Sequence, residues 1–155
     1  MVFDDIDRRL LTALQANASE SIERLGEQIG LSRNACWNRI RRLEAAGIIK
    51  AQVFLLEPEK INLGLSVFIF IRTSEHDPQW LETFEREIRT MPEVLGAYRM
   101  SGDLDYLIRA RVPNVAAYDA LYQRLIRKVR LVNVSASFVM QEIKETTALP
   151  LNYAD

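Results

Sequence analysis

Metal and disulfide chemistry have almost nothing to work with in this sequence. It holds one cysteine, Cys36, and one histidine, His76. A lone cysteine closes no disulfide within the chain, which suits a reducing compartment. Together the two fall far short of a zinc ligand set. His76 lies between Glu75 and Asp77 and reads as an exposed loop residue. Cys36 has no histidine base to activate it, so it reads as a small core hydrophobe rather than a nucleophile.

Long apolar runs are missing as well. The longest nearly unbroken one, Leu65 to Ile71, is far too short to cross a bilayer. No membrane partner is therefore expected. The opening Met1-Val2-Phe3-Asp4-Asp5-Ile6-Asp7 has neither a basic nor an apolar leader stretch, so no signal peptide is expected and the location reads as cytoplasmic. An excess of either charge is missing too: 20 basic and 21 acidic residues leave a net −1. The chain as a whole is not a polycation. Any nucleic-acid affinity must come from a local patch.

What is present is helical spacing followed by strand spacing, within 155 residues, enough for one ordinary domain or two small ones. Ile6, Leu10 and Leu14 recur at four-residue steps, with Asp4 or Asp5 placed to cap that helix. Ser21 starts a second helix burying Ile22, Leu25 and Ile29, and Gly30 ends it. Ser32 caps a third, with Cys36, Ile40 and Leu43 inward and Gly47 as its stop. Residues 48–56 read as one or two short strands, able to form a wing. Beyond them come a strand over 65–72, a helix from Pro78, strands over 94–100 and 105–112, a helix from Pro113, and a last strand over 131–144. That β-α-β-β-α-β order is the split arrangement of ferredoxin-like folds. The fold class is α+β: a winged helix-turn-helix, then a ferredoxin-like domain. The expected divisions are 1–50 for the helix-turn-helix domain, 51–62 for a linker strand, and 63–155 for the ferredoxin-like domain.

The third helix carries the clearest chemistry. At about 100° per residue, Asn34, Asn38, Arg41 and Arg42 share the face opposite Cys36, Ile40 and Leu43, with Arg33 and Arg39 on the flanks. Arginine pairs with guanine or phosphate and asparagine with adenine. Residues 33–50 hold five basic side chains and one acid, net +4, whereas residues 1–27 hold three and six, net −3. Positive charge is thus concentrated on one element. An isolated helix of this kind is usually just a solvated face. The tight Gly30-Leu31-Ser32 turn makes it instead the second helix of a helix-turn-helix, which lies in the major groove. The candidate DNA set is Ser32, Arg33, Asn34, Trp37, Asn38, Arg41 and Arg42. Trp37 has two readings, stacking on a base or, the favoured one, packing against the first helix.

Residues 30–49, Gly30-Leu31-Ser32-Arg33-Asn34 through Leu43-Glu44-Ala45-Ala46-Gly47-Ile48-Ile49, resemble the helix-turn-helix of the Lrp/AsnC (feast/famine) regulators. Asp5-Ile6-Asp7-Arg8-Arg9-Leu10-Leu11, Ser101-Gly102-Asp103-Leu104-Asp105-Tyr106 and Glu142-Ile143-Lys144 fit the same pattern in order along the chain. Cys36-Trp37, Pro92 to Gly96, Arg99-Met100, Asp105-Tyr106-Leu107 and Ile143 to Pro150 resemble a cysteine-sensing branch of that family. The resemblance implies a bacterial, nucleoid-associated transcription regulator that binds duplex DNA. It also implies homodimers assembling further, to octamers, and a small amino acid held between dimers. Cysteine is the first candidate, with leucine, methionine and glutamate next. No other cofactor is expected.

By itself Ser101-Gly102-Asp103 reads most simply as a tight turn. On the family reading its backbone holds the amino acid. Gly102 permits close approach, and Asp103 and Asp105 offer carboxylates to an ammonium. Ser135 and Ser137, alternating on the last strand, add hydroxyls, and Tyr98 and Met100 form a wall. The apolar run Val67 to Ile71 supplies both faces of its strand, one for the helices and one for a partner. The competing functions are an amino-acid-binding module without a DNA role and a small ferredoxin-like enzyme. The second is disfavoured, because no nucleophile–base pair, phosphate loop or metal cluster is visible.

Overall fold

The computed structural model describes residues 3–73 and 77–154, so the reading of His76 lies outside the described residues. The chain divides into two compact units. One runs up to Leu55 and takes in the segment from Lys144 onward, and the other is Leu56–Ile143.

Three helices build the first unit: α1 (Asp5–Ala16), α2 (Ile22–Ile29) and α3 (Arg33–Ala45). Each begins where a side chain takes an orphan backbone donor. Asp4 accepts from the Asp7 N–H at 2.7 Å, and Asp7 closes the capping box with the Asp4 N–H. Ser21 and Ser32 cap α2 and α3 through the N–H groups of Arg24 and Ala35. Gly30, at φ 75°, ends α2 in the left-handed region that glycine enters freely. Leu10, Leu25, Cys36 and Leu43 meet in one core, with Leu11, Ile29 and the half-buried Ile6, Ile22 and Ile40 around them.

None of residues 48–56 is a strand, so the expected wing is corrected. The cause is local. After Ala46, Gly47 turns left-handed at φ 71° and donates to the Glu44 carbonyl at 2.9 Å, while the Ile48 N–H returns to the Leu43 carbonyl at 3.0 Å. That Schellman closure draws Ile48 and Ile49 back onto the helical core. The following Val53-Phe54-Leu55-Leu56 is exposed, Phe54 by 89%. A strand needs a partner, and the described part of this chain offers that segment none.

The second unit opens with a 3-10 turn, Pro58–Ile61, and then runs β1 (Leu65–Arg72), α4 (Pro78–Arg89), β2 (Val94–Arg99), β3 (Tyr106–Val112), α5 (Val115–Lys128) and β4 (Asn133–Phe138). The sheet order is β2-β3-β1-β4, antiparallel throughout, which is the ferredoxin-like arrangement. Val67, Ile69 and Ile71 alternate with Phe68 and Phe70, so one sheet face meets Phe84 and Ile88 of α4 and Leu121 and Leu125 of α5. The other face carries Phe68, Phe70 and Leu107, half-buried, beside Ser135 and Ser137.

The last strand stops at Phe138 instead of running to Lys144. Phe138 pairs with Val67, and the Val139 N–H reaches the Ser66 carbonyl, which is almost the first residue of β1. Further pairing has no neighbour. From Lys144 the chain belongs to the first unit, not to the 63–155 division read from the sequence. The Gln15 side-chain amide exchanges two hydrogen bonds with the Leu149 backbone, at 3.2 and 2.7 Å, and Arg8 donates to the Ala154 carbonyl at 2.8 Å. Leu151 packs on the helical core.

Candidate nucleic-acid interface and effector loop

Helix α3 is held from below by Cys36 and Leu43, both fully buried. Burial pushes the Cys36 thiol up, away from the thiolate a nucleophile needs. On the far side Asn34, Asn38 and Arg41 are exposed, as the wheel predicts, and Ser32 sits at the N-cap. The helix follows α2 through a turn whose tightness depends on Gly26. The Leu31 N–H donates to the Gly26 carbonyl at 2.8 Å, and a Cβ on Gly26 would stand 2.6 Å from the Leu31 carbonyl oxygen.

Trp37 departs from its favoured reading. It is 47% exposed rather than packed against α1, and the Arg41 guanidinium stands 5.6 Å from its ring centroid. At that distance the guanidinium lies over the ring face as a cation–π pair.

The charge of α3 is also not what a count along the chain suggests. Each of its four arginines has an acidic partner. Arg33 meets Glu23 of α2, and Arg41 meets Glu44 at 3.1 Å on its own helix. Arg39 reaches Asp4 at 2.7 Å and Asp7 at 2.8 Å, and Arg42 reaches Asp7 at 2.5 Å. The Asp7 N–H and then Arg39 hold the Asp4 carboxyl below its ordinary value. The exposed pairs of Arg33 and Arg41 are worth about 0–1 kcal/mol each and yield readily to a phosphate or a base. Asp7 differs, because its side chain is completely buried. Arg42, read from the wheel as a DNA contact, therefore has its guanidinium committed to a buried carboxylate at the α1–α3 junction.

Asp7 and Gly26 escaped the sequence reading. Asp7 counted as one acid in a net-negative stretch and as part of the opening motif, with no task of its own, although its three-residue spacing from Asp4 is the capping-box signal. Gly26 lies inside a helical pattern, where an isolated glycine signals close packing.

In the second unit Ser101-Gly102-Asp103 joins β2 to β3, all three residues exposed, and the Met100 N–H closes the hairpin on the Asp105 carbonyl at 2.8 Å. Gly102 has φ 108°, which a side chain rarely adopts. Tyr98 and Met100 are exposed by 51% and 41% at the same end of the hairpin. Asp105 already has a structural task, since its Oδ2 accepts from the Thr73 N–H at 2.7 Å and ties β3 to the end of β1.

The two serines do share a face, opposite Phe70 and Phe68, but β1 and β3 separate them from the loop strand. Two strand spacings amount to about 10 Å, and Tyr98 is one strand further. One chain therefore does not bring Ser135 and Ser137 to Gly102. A cavity of about 410 Å³ lies between α4 and β2, lined by Phe84, Ile88, Met91 and Tyr98 among others, with the Gly102 turn outside its lining. No helix among the described residues is long and apolar enough to cross a membrane.

Comparison with known proteins matches both halves in order. Residues 3–44 fit the AsnC-type helix-turn-helix domain, and residues 66–149 fit the Lrp/AsnC ligand-binding domain. The chain is 48% identical to the glutamate uptake regulatory protein of Zymomonas mobilis, over 96% of this chain and 90% of that one. It is 44% identical to the DNA-binding transcriptional activator DecR of Escherichia coli, over 97% of this chain and 99% of that one. Among solved structures, a transcriptional regulator of Neisseria meningitidis in complex with L-methionine superposes with a TM-score of 0.93 at 35% identity, covering 97% of this chain and 98% of that one. These are regulators rather than enzymes. With both domains matched in sequence order and relatives aligned end to end, the chain belongs to the Lrp/AsnC family of DNA-binding transcriptional regulators.

Proposed function

We propose that the exposed side of α3 enters the major groove, with Asn34, Asn38 and Arg41 reading base edges and Ser32 and Arg33 set against the backbone at the helix start. The observation that carries this reading is the segregation of α3: Cys36 and Leu43 fully buried, Asn34, Asn38 and Arg41 exposed opposite them. Trp37 serves there as the platform for Arg41, and not as a base-stacking residue. Replacing Asn38 and Arg41 together by alanine is expected to weaken a specific duplex at least about thirtyfold, since each base contact is worth about 1–3 kcal/mol. Electrophoretic mobility shift with the full chain measures it. Wild-type affinity in a folded double variant of unchanged oligomer mass would refute the reading.

The protein acts as a homodimer that assembles further, to an octamer, in the cytoplasm at the nucleoid. Two features support a second copy. Among the described residues of its own unit no helix covers the sheet face bearing Phe68, Phe70 and Leu107, and Val53 to Leu56 leave four adjacent apolar side chains between 66% and 89% exposed. Two α3 helices from one dimer then read two half-sites.

The effector is a small amino acid held by the Gly102 turn, with Asp103, Tyr98 and Met100 nearby and Ser135 and Ser137 supplied by a neighbouring copy. Cysteine is the first candidate. Glutamate and methionine follow, because relatives include a glutamate uptake regulator and an L-methionine complex, and leucine follows them. Thermal unfolding against the twenty amino acids is expected to single out one of these, with about 2.7 kcal/mol of stabilisation at a hundred times its dissociation constant. Gly102→Trp, which finds open space at the Cβ position but strains the turn at φ 108°, is expected to remove that gain and, because the change is confined to the β2–β3 turn, to leave DNA binding intact. An undiminished gain in Gly102→Trp would sink the assignment.

A further inference from the structure

Among the described residues of the helical unit, the Asp7 carboxylate is the one fully buried charged side chain, and both of its oxygens point at partners. Oδ1 accepts from Arg39 Nη1 at 2.8 Å, and Oδ2 accepts from Arg42 Nη2 at 2.5 Å and from the Asp4 N–H at 3.4 Å. Arg39 Nη1 also reaches Asp4 Oδ2 at 2.7 Å. Both arginines sit one turn apart on the same shoulder of α3, about 60° from one another at 100° per residue, between the buried stripe and the exposed face. A buried carboxylate that engages two guanidiniums one turn apart resists both sliding and rotation of their helix. Hydrogen bonds to charged groups are directional and short, unlike the apolar contacts of Cys36 and Leu43. The capping box meanwhile fixes Asp7 to the first turn of α1.

We infer that Asp7 is a positioning residue for DNA recognition: it sets the rotation of α3 through Arg39 and Arg42, and Arg42 acts through Asp7 rather than on DNA. The inference rests on the reading of α3 as the DNA helix. It assigns the arginines of α3 to two tasks. Arg41 and Arg33, in exposed pairs, are available to the duplex, and Arg39 and Arg42 hold the frame.

Simple electrostatics makes the opposite prediction for the decisive variant. Asp7→Asn removes a negative charge beside a polyanion and frees two arginines, which by charge alone strengthens binding. Positioning requires that it weaken binding. The experiment uses the full chain and a duplex enriched by the unaltered protein from a randomised pool. Affinity is measured over a range of salt, at a temperature about 20 °C below each variant's own midpoint, so that loss of stability alone moves nothing. Asp7→Asn is expected to bind at least tenfold more weakly, with the slope of log affinity against log salt unchanged. Binding as tight as wild type, or tighter, overturns the inference. Should Asp7→Asn fail to fold, Arg42→Gln decides the matter, because that side chain is half exposed and the fold tolerates its loss more readily. It is expected to give a similar loss at the same salt slope. A slope shallower by about 0.9 marks a lost phosphate contact and overturns the inference. In the double variant the losses are expected not to add, and additive losses count against it. A wild-type chain that enriches no sequence refutes the DNA reading itself. A chain that does enrich one, while Asp7→Asn matches it, refutes only the positioning role.

Discussion

Gly26→Ala is expected to lower the unfolding midpoint of the helical unit by roughly 10 °C and to cost DNA affinity with it. In an ordinary exposed helix the same change stabilises by about 0.5–1 kcal/mol, because glycine gives up more backbone freedom on folding. The sign reverses here because the new methyl meets backbone. It would lie 2.6 Å from the Leu31 carbonyl oxygen, and Leu31 is itself held by the 2.8 Å bond from its N–H to the Gly26 carbonyl. No rotamer relieves the clash. Either α2 shifts or the turn opens, and the turn leads directly into the Ser32 cap of α3. Overpacking of this kind costs about 1–3 kcal/mol. At about 4–8 °C per kcal/mol for a unit of this size, a net loss near 2 kcal/mol gives the stated shift. Calorimetry checks it, and an unchanged or raised midpoint would show that the turn yields freely.

The second large effect belongs to the sheet. Ile69→Ala is expected to destabilise the ferredoxin-like unit by about 2–5 kcal/mol, a large part of the 5–15 kcal/mol that holds a typical domain together. Ile69 is 1% exposed on the central strand, between Ile108 of β3 and Ala136 of β4, in the cluster that Phe84, Leu121 and Leu125 close from the helical side. β1 itself is hydrogen-bonded on both sides, to β3 and to β4, and cannot collapse into the space. Ile69→Val, which removes a single methylene, is expected to cost only about 0.5–1.5 kcal/mol. The helical unit has its own core, so its transition should stay in place while the amino-acid response disappears. Denaturant unfolding followed separately for the two units checks this. Equal shifts in both would mean that the two cores unfold together.

Most elements were legible beforehand because their causes are short in range. Ser21, Ser32 and Gly30 act on backbone groups within a turn of themselves, and the strand at Leu65–Arg72 announces itself by composition. The misreadings share another origin. Ile48 to Leu56 has strand composition, but a strand exists only where another backbone completes it, and the Schellman closure at Gly47 took Ile48 first. The end of β4 failed for a related reason: β1 ran out of residues to pair with it. Both errors came from treating pairing as a property of one segment.

The candidate site divides in the same way. A helical period of about 100° per residue was enough to separate Cys36 and Leu43 from Asn34, Asn38 and Arg41, and a turn glycine was enough to mark Gly102. Those conclusions belong to the sequence alone, since they depend on neighbours a few positions away along one backbone. The charge state of α3 does not. Arg39 and Arg42 pair with Asp7, 32 and 35 residues earlier, Arg39 with Asp4 as well, and Arg33 with Glu23 of the preceding helix. No count within a window finds those partners, because folding, and not chain order, decides which charges come within reach. Only the packing of the helices divided the four arginines of α3 into two in exposed pairs and two held by a buried carboxylate.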